Sequence, residues 1–204
     1  YGGRPADGHA FREEELGCVD TQSARACYDE GKRFAETMCA TYAQVHSMDV
    51  RVARLFRVYG PRAPLYEAHM IPDFILNALD QKELEIFGDE TFHTSLLYVS
   101  DAVEGLRKVM SAPAGLGPVN LGSDLDVRIV DVAQKIIDMT GSSAKLAFKD
   151  TLLFMTPLGL PDLTKAKESL GWLPLVTLED GLRRTIEYTV SHRSLLGLQG
   201  FGTS

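Results

Sequence analysis

The sequence lacks several features that define large classes of protein. Its 204 residues contain no apolar run approaching the roughly 20 residues that a membrane-spanning helix requires. No Lys/Arg cluster is dense enough for a nucleic-acid-binding face, and the net charge is −7. The histidines are scattered, and no His-x-x-x-His or Cys-x-x-Cys pair occurs. We therefore expect no nucleic-acid partner, no membrane segment in this chain and no bound metal.

The cysteines form no metal-binding pattern, and the glycines form no dinucleotide-binding pattern. The three cysteines are odd in number and lack metal-ligand spacing, which predicts free thiols in a reducing, cytoplasmic compartment. No Gly-x-Gly-x-x-Gly or Gly-x-x-Gly-x-x-Gly pattern occurs, so no loop of that kind is present to cradle a diphosphate. The chain begins "YGGRPADG" without a Met, and we expect a C-terminal portion of a longer protein, which leaves an anchored or organellar form open.

Strand-like and helix-like segments alternate along the chain, which predicts an α/β fold. A helical pattern runs from about residue 25 to 47, and a β-rich run follows over residues 50–58. Arg51 and Arg54 in that run are interpreted as charges at strand ends. Further helices are predicted at "DFILNALDQ", "RIVDVAQKIIDMTG", "DLTKAKESLGW" and "TLEDGLRRTIEYTVSHR", and "SLLYVSDAVEGLRKVMSA" is predicted as a short strand and then a helix.

Three local predictions accompany these elements. Asp101 with Glu104 three residues later resembles a capping box, so Asp101 is expected to cap its helix. Trp172 is expected to pack in the core. The tail from Ser194 onward carries few signals of regular structure.

A tyrosine and a lysine stand four residues apart in "ARACYDEGKR". On a helix this spacing places the side chains of Tyr28 and Lys32 on one face, one turn apart. An isolated phenol ionises only near pH 10, and a neighbouring ammonium favours the phenolate. The pair could be a catalytic dyad or two ordinary helix residues, because such a spacing also arises by chance.

The segment "RACYDEGKRFAETMC" closely resembles the active-site helix of the UDP-glucuronate decarboxylases, which belong to the extended short-chain dehydrogenase/reductase superfamily. "RVARLFRVYGPR" is similar to that family's strand and turn, usually R-V-A-R-I-F-N-T-x-G-P-R. "DFILNAL", "YVSDAVEGL", "PVNLGS", "PDLTKAKESLGW" and "LEDGLRRTIEY" follow at family-like spacing, so the resemblance covers roughly residues 20–190.

The resemblance implies the latter part of a Rossmann-like fold plus a small C-terminal α/β substrate-binding subdomain. Residues 1–60 would be the remainder of the NAD-binding domain, residues 61–193 a mixed substrate-binding region with returning Rossmann elements, and residues 194–204 a tail. The Gly-rich NAD loop and the catalytic Ser/Thr would lie upstream of Tyr1.

In the family, NAD oxidises C4 of the sugar, the resulting 4-keto acid loses CO2, and C4 is reduced again. The resemblance implies that Tyr28 is the base at the C4 hydroxyl and that Lys32 assists it and holds the nicotinamide ribose. The residues implied at the cofactor are Tyr28, Lys32, Val58 and His69. Those implied at the substrate are Tyr42, Arg57, Arg62 and Asp73.

The sequence also departs from the family at positions several of which serve the cofactor, the sugar or the diphosphate in the family. These are Arg57 for Asn, Val58 for Thr, His69 for Arg, Asp73 for Asn, Thr94 for Arg, and Leu158, Gly159 and Leu160 for basic residues. Because a diphosphate is best held by Arg or Lys, we expect weakened binding of a UDP-sugar.

Three functions stay open at this point. The first is a UDP-glucuronate-decarboxylase-like enzyme that uses NAD on a nucleotide-sugar or related substrate. The second is a catalytically degenerate relative that serves as a structural or interaction subunit, and the third is an NAD-dependent epimerase or dehydratase with another substrate. Helices like the one that carries Tyr28 often pack against their twins in this superfamily, so a homodimer through that helix is expected. Phe34, Met38 and Tyr42 would then serve packing more than chemistry.

Overall fold

The computed structural model of the protein describes residues 1–65, 69–153 and 155–199, with side chains described up to residue 194. These residues form two compact units, and each unit is built from separate stretches of chain. Unit 1 comprises Tyr1–Val58, Thr94–Asp126 and Leu152–Leu175, and unit 2 comprises Tyr59–His93, Val127–Thr151 and Val176–Ser204. The domain boundaries predicted from the sequence stay a prediction.

The described part of the chain is mixed α/β, as the alternating pattern predicts. The helices are α1 (Ala26–His46), α2 (Met70–Leu79), α3 (Val99–Ser111), α4 (Ile129–Thr140), α5 (Thr164–Leu170) and α6 (Leu178–Gln199). The strands are β1 (Ala53–Leu55), β2 (Val58–Tyr59), β3 (Leu84–Phe87), β4 (His93–Thr94), β5 (Leu97–Tyr98), β6 (Val119–Leu121), β7 (Val127–Arg128) and β8 (Leu146–Lys149).

Unit 1 is organised around the parallel pair β1 and β6. Ala53 lies opposite Val119 and Leu55 opposite Leu121, and all three residues of β6 are buried, as is typical of a parallel strand covered on both faces. Helices α3 and α5 pack against this pair. Trp172 is 2% exposed in the resulting core, and its Nε1 donates to the Asp101 carbonyl at 3.0 Å, which confirms the predicted core position.

The helix that contains Asp101 begins earlier than the capping-box pattern predicts. Helix α3 starts at Val99, and Tyr98 occupies the N-cap without a side-chain cap. Asp101 is therefore inside the first turn, where its Oδ2 accepts the backbone N–H of Leu175 at 2.9 Å. The capping prediction is wrong because this buried carboxylate instead satisfies a backbone donor that follows α5.

Unit 2 is organised around the parallel pair β3 and β8, with Leu84 opposite Leu146. Helices α2 and α4 pack against one another, and α4 also contacts α6. Helix α4 ends as predicted at Gly141, whose φ of 62° is the left-handed conformation that glycine accepts readily. Thr177 Oγ1 accepts the Asp180 N–H at 3.2 Å at the start of α6. That helix continues to Gln199, beyond the predicted boundary at Ser194, and residues 200–204 lie outside the described part.

Helix α1 buries very little of its surface within the described chain. Ala26 is its one buried residue among the 21 that the structure describes in it. Phe34, Met38, Tyr42 and Val45 are spaced as one face of a helix, and their exposed fractions are 65%, 38%, 45% and 68%. We call these four residues the α1 stripe. An apolar stripe of this kind is energetically unfavourable when it is exposed to water.

Candidate active site

Helix α1 places the predicted dyad as the sequence spacing indicates. The Lys32 Nζ lies 5.4 Å from the centroid of the Tyr28 ring, and the Arg25 Cζ lies 4.7 Å from the same centroid. Arg25 is itself held by Asp29, whose Oδ1 accepts its Nε–H at 3.0 Å. The Tyr28 side chain is 55% exposed, so the phenol is accessible from outside the described chain. The arrangement is an accessible phenol flanked by two cations.

A third cation, Arg57, follows strand β1 close to this phenol. Its backbone carbonyl accepts the Leu97 N–H at 3.0 Å, which fixes the chain where β1 ends. Desolvation lowers the pKa of Arg57, and the Arg25 guanidinium lowers it further, while Tyr28 acts weakly in the opposite direction. Arg57 is exposed at the surface, although nearby protein atoms partly desolvate its guanidinium. No carboxylate pairs with Arg57 among the residues that the structure describes. Val58 follows it and is 39% exposed.

Tyr42 lies on the same helix as the dyad but far along it. Fourteen residues separate Tyr28 from Tyr42, which corresponds to about 21 Å along the axis of an α-helix. The Tyr42 ring instead lies 5.1 Å from the His46 ring. The structure therefore does not bring Tyr42 to Tyr28 within one chain.

Three further predicted residues, Arg62, His69 and Asp73, lie in unit 2. Arg62 adopts a left-handed φ of 68° in the turn after Gly60 and Pro61. His69 occupies the N-cap of α2, and Asp73 lies in the first turn of that helix. Desolvation raises the pKa of Asp73, and the nearby His69 acts in the opposite direction. His69 and Asp73 thus share the start of one helix.

Thr94 and Gly159, two of the positions where the resemblance implies a basic residue, both lie buried in unit 1. Thr94 is 2% exposed, so its side chain is not presented to a ligand. Gly159 is buried, and a Cβ built on it would approach the Phe11 ring to 2.5 Å. A side chain at position 159 would therefore clash with this ring where it now lies.

The sequence interpretation missed a polar network next to α1. Arg54, which the pattern indicates as a strand-end charge, is bound through both edges of its guanidinium. Its Nε and Nη2 donate to the Glu36 carboxylate at 2.9 and 2.5 Å, and its Nη1 donates to the Tyr1 hydroxyl at 2.5 Å. The Tyr1 hydroxyl in turn donates to Oδ1 of the fully buried Asn120 at 2.8 Å. The sequence feature that could have indicated this network is an arginine inside a β-rich run, because an arginine that is partly buried requires a polar partner.

Two further classes of site are not found in the described residues. Within residues 1–65, 69–153 and 155–199, no helix has the length and hydropathy of a membrane-spanning segment. The same residues contain no group of three or more His, Cys, Asp or Glu side chains arranged to hold a metal ion.

Comparison with known proteins identifies the family. Residues 2–122 match the model of the NAD dependent epimerase/dehydratase family. The sequence is 41% identical over 180 residues to UDP-glucuronic acid decarboxylase 1 of Xenopus tropicalis, covering 88% of this chain and 42% of that protein. It is 39% identical over 180 residues to UDP-glucuronic acid decarboxylase 1 of Danio rerio, covering 88% of this chain and 43% of that protein. The chain belongs to the NAD-dependent epimerase/dehydratase family.

A solved structure gives the same result at the level of the fold. The UDP-glucuronic acid 4-epimerase from Bacillus cereus, in complex with UDP-glucuronic acid and NAD, superposes with a TM-score of 0.81 at 25% identity, covering 90% of this chain and 57% of that one. The predicted Rossmann-like, extended short-chain dehydrogenase/reductase fold and the resemblance to UDP-glucuronate decarboxylases are confirmed. The chain spans less than half the length of the two curated relatives named above.

Proposed function

We propose that this chain carries the catalytic dyad and part of the substrate pocket of an NAD-dependent enzyme that decarboxylates a UDP-glucuronate-like nucleotide-sugar. The observation that carries the proposal is the accessible Tyr28 with Lys32 and Arg25 on its ring, inside the family-matched segment. In this proposal the Tyr28 hydroxyl oxygen removes the proton of the sugar C4 hydroxyl. Lys32, one turn away, keeps the site positive while that proton is held.

The residues present fit one end of the cofactor. Tyr28 and Lys32 project from one face of α1 and are exposed, so both are available to bind the nicotinamide ribose. Val58 and His69 are proposed to contact the cofactor as well. The sequence contains no Gly-rich loop, so these residues do not supply a cradle for the cofactor diphosphate. The chemistry supplied by bound NAD would be hydride removal at C4 and its return.

The substrate side of the proposal is centred on Arg57. Its partly desolvated guanidinium is available for an anionic group beside Tyr28, and Arg is well suited to carboxylate or phosphate. Arg62 and Asp73 are also proposed to contact the sugar nucleotide. The boundaries 1–60, 61–193 and 194–204 are retained as proposed functional divisions.

The test is product analysis of the full-length protein supplied with NAD and UDP-glucuronate. The account predicts release of CO2 and formation of a UDP-pentose. A UDP-hexuronate epimer as product would instead identify a 4-epimerase, which is the activity named for the Bacillus cereus neighbour. Absence of any turnover, with NAD bound, would favour the degenerate structural subunit. The losses of basic side chains at Thr94 and Leu158–Leu160 are the observations that favour this last alternative.

We propose in addition that the α1 stripe forms a homodimer contact and that Tyr42 serves this contact. The support is the exposure of four apolar side chains on one face of a helix with one buried residue. Phe34→Glu with Val45→Glu should convert a dimer to a monomer in sedimentation-equilibrium runs on the full-length protein. Met110→Glu, at an apolar position of α3 that is 76% exposed, is the matched control and should leave the mass unchanged.

We also propose that the protein works in a reducing compartment. Cys18, Cys27 and Cys39 are free thiols in the structure, which supports a reducing environment such as the cytoplasm.

A further inference from the structure

Helix α1 carries the dyad and has one buried residue in the described chain. Ala26 is buried at its first residue, and the remaining 20 residues are exposed or partly exposed. Apart from the contacts that the N-cap residue Arg25 makes with Asp29 and Tyr28, two side-chain interactions connect α1 to other segments within the described residues. Arg33 Nη1 donates to the Leu16 carbonyl at 2.5 Å, and Glu36 accepts from Arg54. Since the Leu16 side chain is 81% exposed on a surface loop, the Glu36 contact is the firmer of the two.

The Glu36 contact has the geometry of a rigid clamp. Two parallel N–H donors of Arg54 engage the two carboxylate oxygens of Glu36, so the pair resists rotation as well as separation. The other edge of the same guanidinium donates to the Tyr1 hydroxyl and to the Glu13 carbonyl, the latter at 2.9 Å. Arg54 therefore has little freedom to swing away from Glu36.

The clamp is in turn connected to Asn120, the central residue of the buried strand β6. Asn120 is 0% exposed, and its Nδ2 donates to the Phe11 carbonyl at 2.8 Å while its Oδ1 accepts from Tyr1. Burial raises the pKa of the Tyr1 phenol, although the hydrogen bonds that it forms with Arg54 and Asn120 oppose the change, so this hydroxyl stays protonated and able to donate to Asn120. The Tyr1 ring also stacks on Phe11 at 4.5 Å. Hydrogen bonds thus connect the buried Asn120 through Tyr1 and Arg54 to Glu36 on α1.

Glu36 lies on the same strip of α1 as the dyad. Tyr28, Lys32 and Glu36 are spaced by four residues, and each step of four turns only about 40° around the helix. A clamp at Glu36 therefore fixes both the rotation and the axial register of the strip, one turn beyond Lys32.

We propose that Arg54 and Glu36 form a positioning pair that fixes the register of α1 on strand β1 and thereby places Tyr28 and Lys32 for proton transfer. This inference rests on the proposed function, because it concerns the residues assigned to catalysis there. Neither residue touches the substrate in this proposal, and both act through the orientation of the helix.

The test uses the full-length protein and two variants of graded severity. Glu36→Gln keeps the shape of the side chain and removes the charge, and Arg54→Lys keeps the charge and removes the bidentate fork. The control is Glu104→Gln, because Glu104 forms an equally bidentate pair with Arg107 at 2.8 Å, but within a single helix. For each protein, kcat, KM, melting temperature and amide hydrogen exchange in α1 and β6 are measured.

The positioning role predicts a loss of kcat on the order of a hundredfold in Arg54→Lys, since displacement of a reacting group by about 1 Å has that effect. KM should change less than kcat. Amide hydrogen exchange should accelerate in α1 and stay unchanged in β6. The Glu104→Gln control should keep the wild-type kcat and the wild-type exchange rates. Unchanged kcat in both variants would overturn the proposal. So would a loss of kcat that is accompanied by equal acceleration of exchange in α1 and β6, because that pattern indicates general destabilisation.

The failure of the proposed function is distinguishable from the failure of this inference. If the wild-type protein does not turn over UDP-glucuronate, the function fails, and hydrogen exchange still decides the clamp. Acceleration confined to α1 in Glu36→Gln and Arg54→Lys would support the clamp, and unchanged exchange in α1 would overturn it.

Discussion

The Lys32 ammonium lies 5.4 Å from the centroid of the Tyr28 ring, and the Arg25 guanidinium lies 4.7 Å from the same point. A ring that faces two cations is held by their attraction to its π electrons, which is strongest where water is excluded. In the full-length protein a bound cofactor and substrate would exclude water from this exposed ring. In the proposed function Lys32 therefore has two separable roles, one toward the phenol and one toward the cofactor.

Lys32→Ala should lower both the turnover rate and the affinity for NAD. The substitution removes the ammonium beside Tyr28 and, in the proposed function, the group that holds the nicotinamide ribose. We expect the rate to fall by at most the roughly 10²–10⁴-fold that proton transfer by Tyr28 contributes, because Lys32 assists that transfer. Calorimetric titration with NAD measures the second effect separately. An NAD affinity equal to that of the wild type would contradict the assignment of Lys32 to the cofactor.

Arg57→Asn should weaken binding of an anionic substrate although it restores the residue usual in the decarboxylases. A charge-assisted hydrogen bond contributes roughly 1.5–3 kcal/mol, which corresponds to about a 10- to 100-fold rise in KM for UDP-glucuronate. Arg107→Asn is the matched control, because Arg107 is exposed and paired with Glu104. A KM that falls in Arg57→Asn would show that this guanidinium repels the substrate or blocks its access.

Asp73→Asn should stabilise the protein at neutral pH. Desolvation raises the pKa of Asp73 in the folded state, so folding favours its protonated form. The protonated Asp73 therefore contributes stability below the pKa of an unfolded aspartate, about 3.9. This contribution is lost as the pH rises through the raised pKa of Asp73 in the folded protein. Thermal melts should therefore show a higher melting temperature for Asp73→Asn at pH 7, with the gain vanishing in acid.

Asp131→Asn supplies the comparison for Asp73→Asn. Asp131 lies in the first turn of α4 in the same unit, but it is exposed and paired with Arg128 at 2.7 Å. We expect no gain in melting temperature at pH 7 from this control. An equal gain in both variants would show that the effect reflects the overall negative charge instead of the burial of Asp73.

His9 should titrate above its ordinary value. Its Nε2 lies 2.8 Å from Glu15 and its Nδ1 lies 2.6 Å from Asp7, and hydrogen bonds to these two carboxylates raise the pKa of His9. The stabilisation from these two contacts is fully present below the pKa of an unfolded histidine, about 6.5. It is lost as the pH rises through the raised pKa of His9 in the folded protein. NMR titration of the ring protons measures the value directly. Glu15→Gln should lower it, and an unchanged value in that variant would contradict the contact.

The sequence was sufficient for the features that depend on local pattern. The spacing of Tyr28 and Lys32 predicts their shared helix face, and Gly141 and Thr177 mark the helix boundaries that the structure has. These features follow from helix periodicity, turn conformation and side-chain capping within a few residues of chain. The fold class also follows from alternation of strands and helices.

Features that depend on distant contacts were not predictable in this way. Asp101 matches a capping box, but its carboxylate binds the Leu175 N–H, 74 residues away. Arg54 matches a strand-end charge, yet its partners are Glu36, Tyr1 and Glu13, which lie 18 or more residues away. No local pattern encodes such partners, because burial of a charge specifies only that a partner must exist.

The central claim, that Tyr28 is the proton-transferring group of an NAD-dependent enzyme, is tested most directly by the turnover rate of Tyr28→Phe in the full-length protein with UDP-glucuronate and NAD. Only the phenol oxygen is removed, so fold and cofactor binding should be retained. The rate should fall on the order of 10²–10⁴-fold. Tyr188→Phe keeps its ring beside His192, 4.1 Å away in unit 2, and should keep the wild-type rate. An active wild-type protein whose Tyr28→Phe variant retains full turnover would contradict the account.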